Sequence, residues 1–448
     1  MSLLLLKNAR LVNEGTTEVG DLLIKGERIE KIASSISADA GTRVIDLDGK
    51  LLMPGMIDDQ VHFREPGLTH KGSIATESAA AIAGGTTSFM EMPNVSPQTT
   101  TIEALEEKYQ RAQGKSLANF SFYLGATNDN LEQIKRLDPN QACGLKVFMG
   151  SSTGNMLVDN PQTLDEIFSH SPVLIATHCE DSPTISANEQ AAREKYGEDV
   201  PFSEHPNIRS AEACYLSSSL AASLAHKHQA RLHILHLTTA KELELLTPTQ
   251  NISDLKTKLI SAEVCVHHLF YCDADYERLG SLIKCNPAIK TQNDRDALRL
   301  AVREQLIDII ATDHAPHTWD EKQGSYFNAP SGLPLCQHSL QLLMELCHQG
   351  EMTQEMIAQK TSHAVAERYQ LKDRGYLREG YYADLVAIDP TVQQTVDNSS
   401  LYYKCGWSPL SGQTLNSRIE MTLLNGDIAY HDGQLNPHIR GKRLEFDR

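Results

Sequence analysis

Over the first fifty positions apolar residues come in short runs closed by turn residues. These are Leu3–Leu6, Asp21–Ile24 before Gly26-Glu27, and Arg43–Asp46 before Asp48-Gly49. The last seventy positions repeat the texture, with Ala383–Ile388, Met421–Leu424, the turn Asn425-Gly426, Ile428–Tyr430 and then Asp432-Gly433. Such runs predict strands. Neither end alone can bury a sheet face, so the two are expected to meet in space as one small β-sandwich.

The middle has another rhythm. Eight β-rich runs follow one another: Met56–Phe63, Thr86–Met92, Phe120–Ala126, Gly144–Met149, Val173–His178, Arg231–Leu237, Leu259–His267 and Asp308–His314. Stretches of helical composition lie between them, among them Thr76–Ala83, Ile102–Gln113 and Ala211–His226. Strands alternating with helices predict a parallel α/β sheet, and eight units predict a closed (β/α)8 TIM-like barrel with its chemistry where the strands end. The expected division is residues 1–53 and 371–448 for the sandwich and 54–370 for the barrel. Roughly Glu180–Asn207 shows no obvious element.

Composition narrows the function classes. The 448 residues carry 41 Lys+Arg against 58 Asp+Glu, a formal net charge of −17. An acidic surface argues against nucleic acid, which needs a concentrated positive field. No apolar run approaches the ~18 residues of a membrane span. Leu3–Leu6 is cut short by Lys7 and reads as a strand, not a signal peptide. The nine cysteines are scattered without a CxxC pair, so neither a disulfide framework nor a Cys-based zinc site is expected, and a reducing cytoplasm is.

Candidate chemistry gathers at the predicted strand ends. Gln60 and His62 alternate onto one face. His178 and His236 each close an apolar strand, where a buried imidazole needs a partner and a metal is one good partner. Asp313 closes Ile309-Ile310-Ala311-Thr312, where a carboxylate is costly to bury unless it meets a cation, shares a proton or accepts backbone N–H groups. Lys146 stands in an apolar strand, either as a desolvated, reactive amine or as a snorkelling surface lysine. Cys265, Cys272, His267, His268 and His233 read as structural, and Trp407 as a packing anchor of the terminal domain.

Pro54-Gly55-Met56-Ile57-Asp58, Val61-His62-Phe63-Arg64-Glu65-Pro66-Gly67, Met92-Pro93-Asn94 and Ala311-Thr312-Asp313-His314-Ala315-Pro316-His317, in this order, resemble the long (class I) dihydroorotases of the amidohydrolase superfamily. The resemblance runs to Glu379-Gly380-Tyr381-Tyr382-Ala383-Asp384-Leu385-Val386. It implies a metal-dependent hydrolase barrel with one or two zinc ions. Lys146 would be carboxylated and bridging, with His62, His178, His236 and Asp313 as further ligands. Arg64, Asn94, Asn286 and His317 would hold substrate. It implies reversible cyclisation of N-carbamoyl-L-aspartate to L-dihydroorotate in pyrimidine biosynthesis, with metal-activated hydroxide as nucleophile and Asp313 as proton shuttle.

The sequence departs from that pattern at Gln60, where the family has histidine, and an amide oxygen is a weaker zinc ligand than imidazole. Three outcomes follow: two metals with the first held loosely, one tightly held metal at the second site, or a catalytically inactive partner of aspartate transcarbamoylase. Dihydropyrimidinase, hydantoinase and allantoinase are the rivals within the fold. Their substrates lack the ring carboxylate that would use Arg64. Association with a transcarbamoylase and homodimerisation stand as further expectations on partners.

Overall fold

The computed structural model describes residues 2–150 and 156–448. Among these, parallel strands form a ring: Met56–Val61, Thr86–Glu91, Asn119–Phe122 continuing in Leu124–Gly125, Leu145–Phe148, Ile175–His178, Leu232–Ile234, Ile260–Cys265 and Ile309–Ala311. Their residues are buried on both faces, which is why they read as apolar runs without alternation. The third strand is interrupted at Tyr123, pairing with the second before the break and the fourth after it. The ring closes where Val61 pairs with His314 and the His62 amide donates to the His314 carbonyl at 2.7 Å. The expected eight-unit barrel is present.

The two chain ends share one nine-stranded sheet. Leu51–Pro54 joins them, lying parallel to the N-terminal strand Leu3–Asn13 on one side and antiparallel to Leu385–Asp389 on the other. Leu4, Leu6, Leu22 and Ile24 from one end pack in one buried cluster with Leu385, Ala387, Met421 and Leu423 from the other. Each end therefore supplies half of a core that neither could close alone.

The stretch expected to lack structure holds a helix, Ser182–Tyr196. It buries only Ile185 and Ala192, so it carries no apolar stripe to read. Its start was written in Asp181, whose side chain accepts from the Thr184 amide, and in the proline that follows.

The helix Ala364–Tyr369 ties the end of the barrel domain to the start of two barrel strands. Arg368, fully buried, donates to the carbonyls of Leu255 (3.0 Å), Lys258 (2.5 Å) and Leu232 (2.7 Å). Arg368→Met would take this donor from three carbonyls, two of them buried, and is expected to cost about 3–5 kcal/mol. Urea unfolding would show this as a lower midpoint at unchanged slope. An unchanged midpoint would mean that those carbonyls find other donors.

Candidate active site

A small cleft opens at the C-terminal ends of the barrel strands, lined by Gln60, His62, Arg64, Lys146, His178, His236, Asn286 and Asp313 together with Phe148, Ala315, Ser331 and Gly332. Asn94 and His317 line a neighbouring cleft with Lys71, and Arg64 belongs to both. Three of these residues leave their strands in the left-handed region: Arg64 at φ 74°, His236 at 37° and Asp313 at 47°. Non-glycine residues pay for that conformation, and such strain concentrates where side-chain direction matters.

His178 and His236 face one another, Nδ1 to Nε2, at 3.0 Å. His178 Nε2 donates to Glu180 Oε2 at 3.0 Å, which leaves the lone pair on Nδ1. Burial, with the Lys146 charge adding to it, pushes both imidazoles below their ordinary range, so both are neutral near pH 7. Glu180 itself lies at about 2, because Arg209 and His178 outweigh its burial. Lys146 is buried, with Nζ over the Phe148 ring, and desolvation brings its amine down to about 8.

Asp313 sits opposite. Its Oδ1 meets His62 Nε2 at 3.0 Å and accepts from Gln60 Nε2 at 3.2 Å. His62 Nδ1 contacts Asn94 Oδ1 at 2.8 Å, while its Nε2 faces the carboxylate oxygen. Burial works to raise the Asp313 carboxyl, but the hydrogen bond and charge of His62 prevail and keep it below its usual value. Two pairs of ligand-type atoms thus stand 3.0 Å apart, each sharing a proton that a metal ion could replace. That donor set, imidazole and carboxylate with a buried amine beside them, fits a divalent metal. Gln60, expected as a weak ligand, turns its amide N–H toward Asp313 and its oxygen toward the Cys265 thiol, 4.0 Å away.

Arg64 is buried, with Nε donating to the Pro316 carbonyl at 3.0 Å and Nη2 lying 3.1 Å from His317 Nε2. Among the described residues no carboxylate stands within ion-pair distance of it, and desolvation lowers it to about 10. His317 is wedged between two cations, since Lys71 Nζ lies 3.0 Å from its Nδ1. Burial, then the charge of Arg64, hold it well below the ordinary imidazole range, so it is a neutral ring here.

Trp407 does more than anchor the terminal domain. It is buried, and its indole N–H donates to the His317 carbonyl at 2.7 Å. Trp407→Phe would remove that bond and is expected to destabilise by about 1–2 kcal/mol. It should also raise the KM of an anionic substrate more than it lowers kcat. Equal loss in both constants would place Trp407 outside the binding apparatus.

Sequence reasoning missed Lys71, Glu180 and Glu263. Glu263 lies one layer inside the barrel, where Oε1 accepts from the His236 amide at 3.2 Å. Its Oε2 and Asp59 Oδ2 each lie 3.3 Å from His233 Nε2. Glu180 had a legible signal, an acid two residues after a strand-ending histidine. Lys71 had none.

Residues 51–429 match the model of the amidohydrolase family. A dihydroorotase of Methanosarcina acetivorans is 31% identical over 450 residues, spanning 98% of this chain and 95% of that protein. An allantoinase of Desulfitobacterium hafniense is 28% identical over 458 residues, spanning 98% of each. Among solved structures, the L-hydantoinase of Arthrobacter aurescens superposes with a TM-score of 0.92 at 24% identity, over 99% of this chain and 100% of that one. At that identity the likeness speaks for the fold. With its barrel, its two-ended sandwich and this full-length similarity, the chain belongs to the amidohydrolase family.

Proposed function

We propose that the chain is a dihydroorotase, interconverting L-dihydroorotate and N-carbamoyl-L-aspartate. One observation carries this choice among cyclic amides: a buried guanidinium with no carboxylate partner among the described residues, on the wall of the cleft that holds His62, Lys146, His178, His236 and Asp313. A buried unpaired cation is costly, and a ligand carboxylate relieves it with a planar fork of charge-assisted bonds. Hydantoin and allantoin carry no carboxylate and leave it unrelieved.

Metal dependence is general to the family. In our reading His178 and His236 hold one zinc ion, with Lys146 completing the set as a carbamate. The uncharged share of a lysine near 8 adds carbon dioxide and releases a proton, converting a cation into a two-oxygen ligand. His62 and Asp313 form the other, first-metal locus, held more loosely because Gln60 turns its N–H inward. Zinc bound there supplies Lewis acidity to the amide carbonyl and acidifies water.

The chain's own groups do the rest. Arg64 fixes the ring carboxylate, with Asn286 a further substrate contact. Asn94 holds the His62 ring by its Nδ1 as well as lining the outer cleft. Neutral His317 and Lys71 set the second face of the anion pocket. Asp313 has Oδ1 engaged and Oδ2 left to move the proton: to the ring nitrogen on opening, from the carbamoyl nitrogen on closure. So many buried polar groups without their ligands would burden an inactive scaffold, which disfavours the reading of a mere transcarbamoylase companion.

Among the described residues no helix is long and apolar enough to cross a membrane. We infer a cytoplasmic site, a homodimer and association with a transcarbamoylase, with the sandwich and barrel divided at residues 53 and 370.

Ring opening of L-dihydroorotate by the purified chain, beside hydantoin and allantoin, tests the reading. Turnover of L-dihydroorotate that is lost on chelation and restored by zinc is expected. Preferential turnover of a neutral ring would overturn it.

A further inference from the structure

A second donor cluster stands at the end of the seventh barrel strand, outside the set described above. Cys265, His267 and His268 are buried, and one ligand atom from each lies within 4.8 Å of the others. Tetrahedral zinc with bonds of about 2.0–2.3 Å sets its ligand atoms roughly 3.3–3.6 Å apart, so side-chain rotations of about an ångström would close the set.

The hydrogen bonding leaves the three atoms in want of a cation. His268 Nε2 gives its proton to the Pro287 carbonyl at 3.2 Å, which puts the lone pair on Nδ1, and among the described residues Nδ1 has no donor. An imidazole tied to a backbone carbonyl in this way has the orientation and tautomer of a metal ligand. Among the described residues neither ring nitrogen of His267 has a partner at hydrogen-bond geometry, although the Thr312 backbone acts on the ring. Buried imidazole nitrogens left unmade are rare and costly. Among the described residues the Cys265 thiol finds Gln60 Oε1, 4.0 Å away.

We propose that Cys265, His267 and His268 bind a thiophilic divalent ion of the zinc class, distinct from the His178/His236 centre. On binding, the sulfur–metal bond forms as the S–H bond breaks, and the thiol proton leaves to solvent. Both imidazoles bind as neutral rings. Gln60 stands between this site and the catalytic cleft, touching Cys265 on one side and Asp313 on the other, so rotation of one side chain gives the ion its way in. The inference stands apart from the proposed reaction, whose ligand set contains no cysteine.

Cobalt(II) separates the two centres, because only thiolate ligation produces the near-ultraviolet sulfur-to-cobalt charge-transfer band. The full chain would be stripped with chelator and loaded with Co(II), then read for that band and for metal per chain. The band is expected in the wild type. Cys265→Ser should lose it together with one ion per chain, while the visible bands of the remaining centre persist. Should Cys265→Ser fail to fold, His268→Gln serves instead and should lose the same ion. A wild type without the band, or a variant that keeps both band and ion, would overturn the proposal.

Discussion

Asp313→Asn is expected to lower kcat for L-dihydroorotate by about 10²–10⁴ with little change in KM. The amide is isosteric, so the shape of the cleft survives. What disappears is an oxygen able to take and return a proton, and a negative charge opposite His62 Nε2. In the wild type that charge is secured, since the hydrogen bond from His62 keeps the carboxyl ionised despite its burial. The split between constants is the readout. A fall confined to KM would make Asp313 a binding residue, and the proton would have to travel through another group.

Arg64→Gln should cut kcat/KM for L-dihydroorotate by roughly 10²-fold, from the loss of about 3 kcal/mol in charge-assisted hydrogen bonds. Any residual turnover of a neutral ring such as hydantoin should change far less, because such a ring never used the guanidinium. The variant therefore narrows the preference instead of disabling the chemistry. Equal losses on charged and neutral rings would mean that Arg64 supports the fold around Pro316 and His317, where its other contacts lie, and that the carboxylate is held elsewhere.

Much of the architecture was legible because barrel strands are buried on both faces and announce themselves as apolar runs. His62, His178, His236 and Asp313 were legible for the complementary reason: each is a polar residue at or just past the end of such a run. The helix Ser182–Tyr196 was not, since it turns most of its length to solvent and buries two side chains. Lys71 and Trp407 escaped in their present roles because each meets His317 across more than eighty residues of chain, and only the closed barrel makes them neighbours. Gln60 shows a subtler limit. Its residue type raised the right question about the first metal locus, but the direction of its amide, N–H toward Asp313 and oxygen toward Cys265, depends on what the seventh and eighth strands bring beside it.

The same three-dimensional company decides Cys265, His267 and His268. Read singly they are ordinary core residues. Together, with Nδ1 of His268 and both nitrogens of His267 without a hydrogen-bond partner among the described residues, they form the set proposed to hold an added ion.

A crystal structure of the zinc-loaded chain with N-carbamoyl-L-aspartate, recorded with anomalous scattering at the zinc edge, tests the central claim most directly. The account predicts an anomalous peak between His178 and His236 and a ligand carboxylate forked on Arg64. A ligand lying away from Arg64, or no peak beside those two imidazoles, would contradict it.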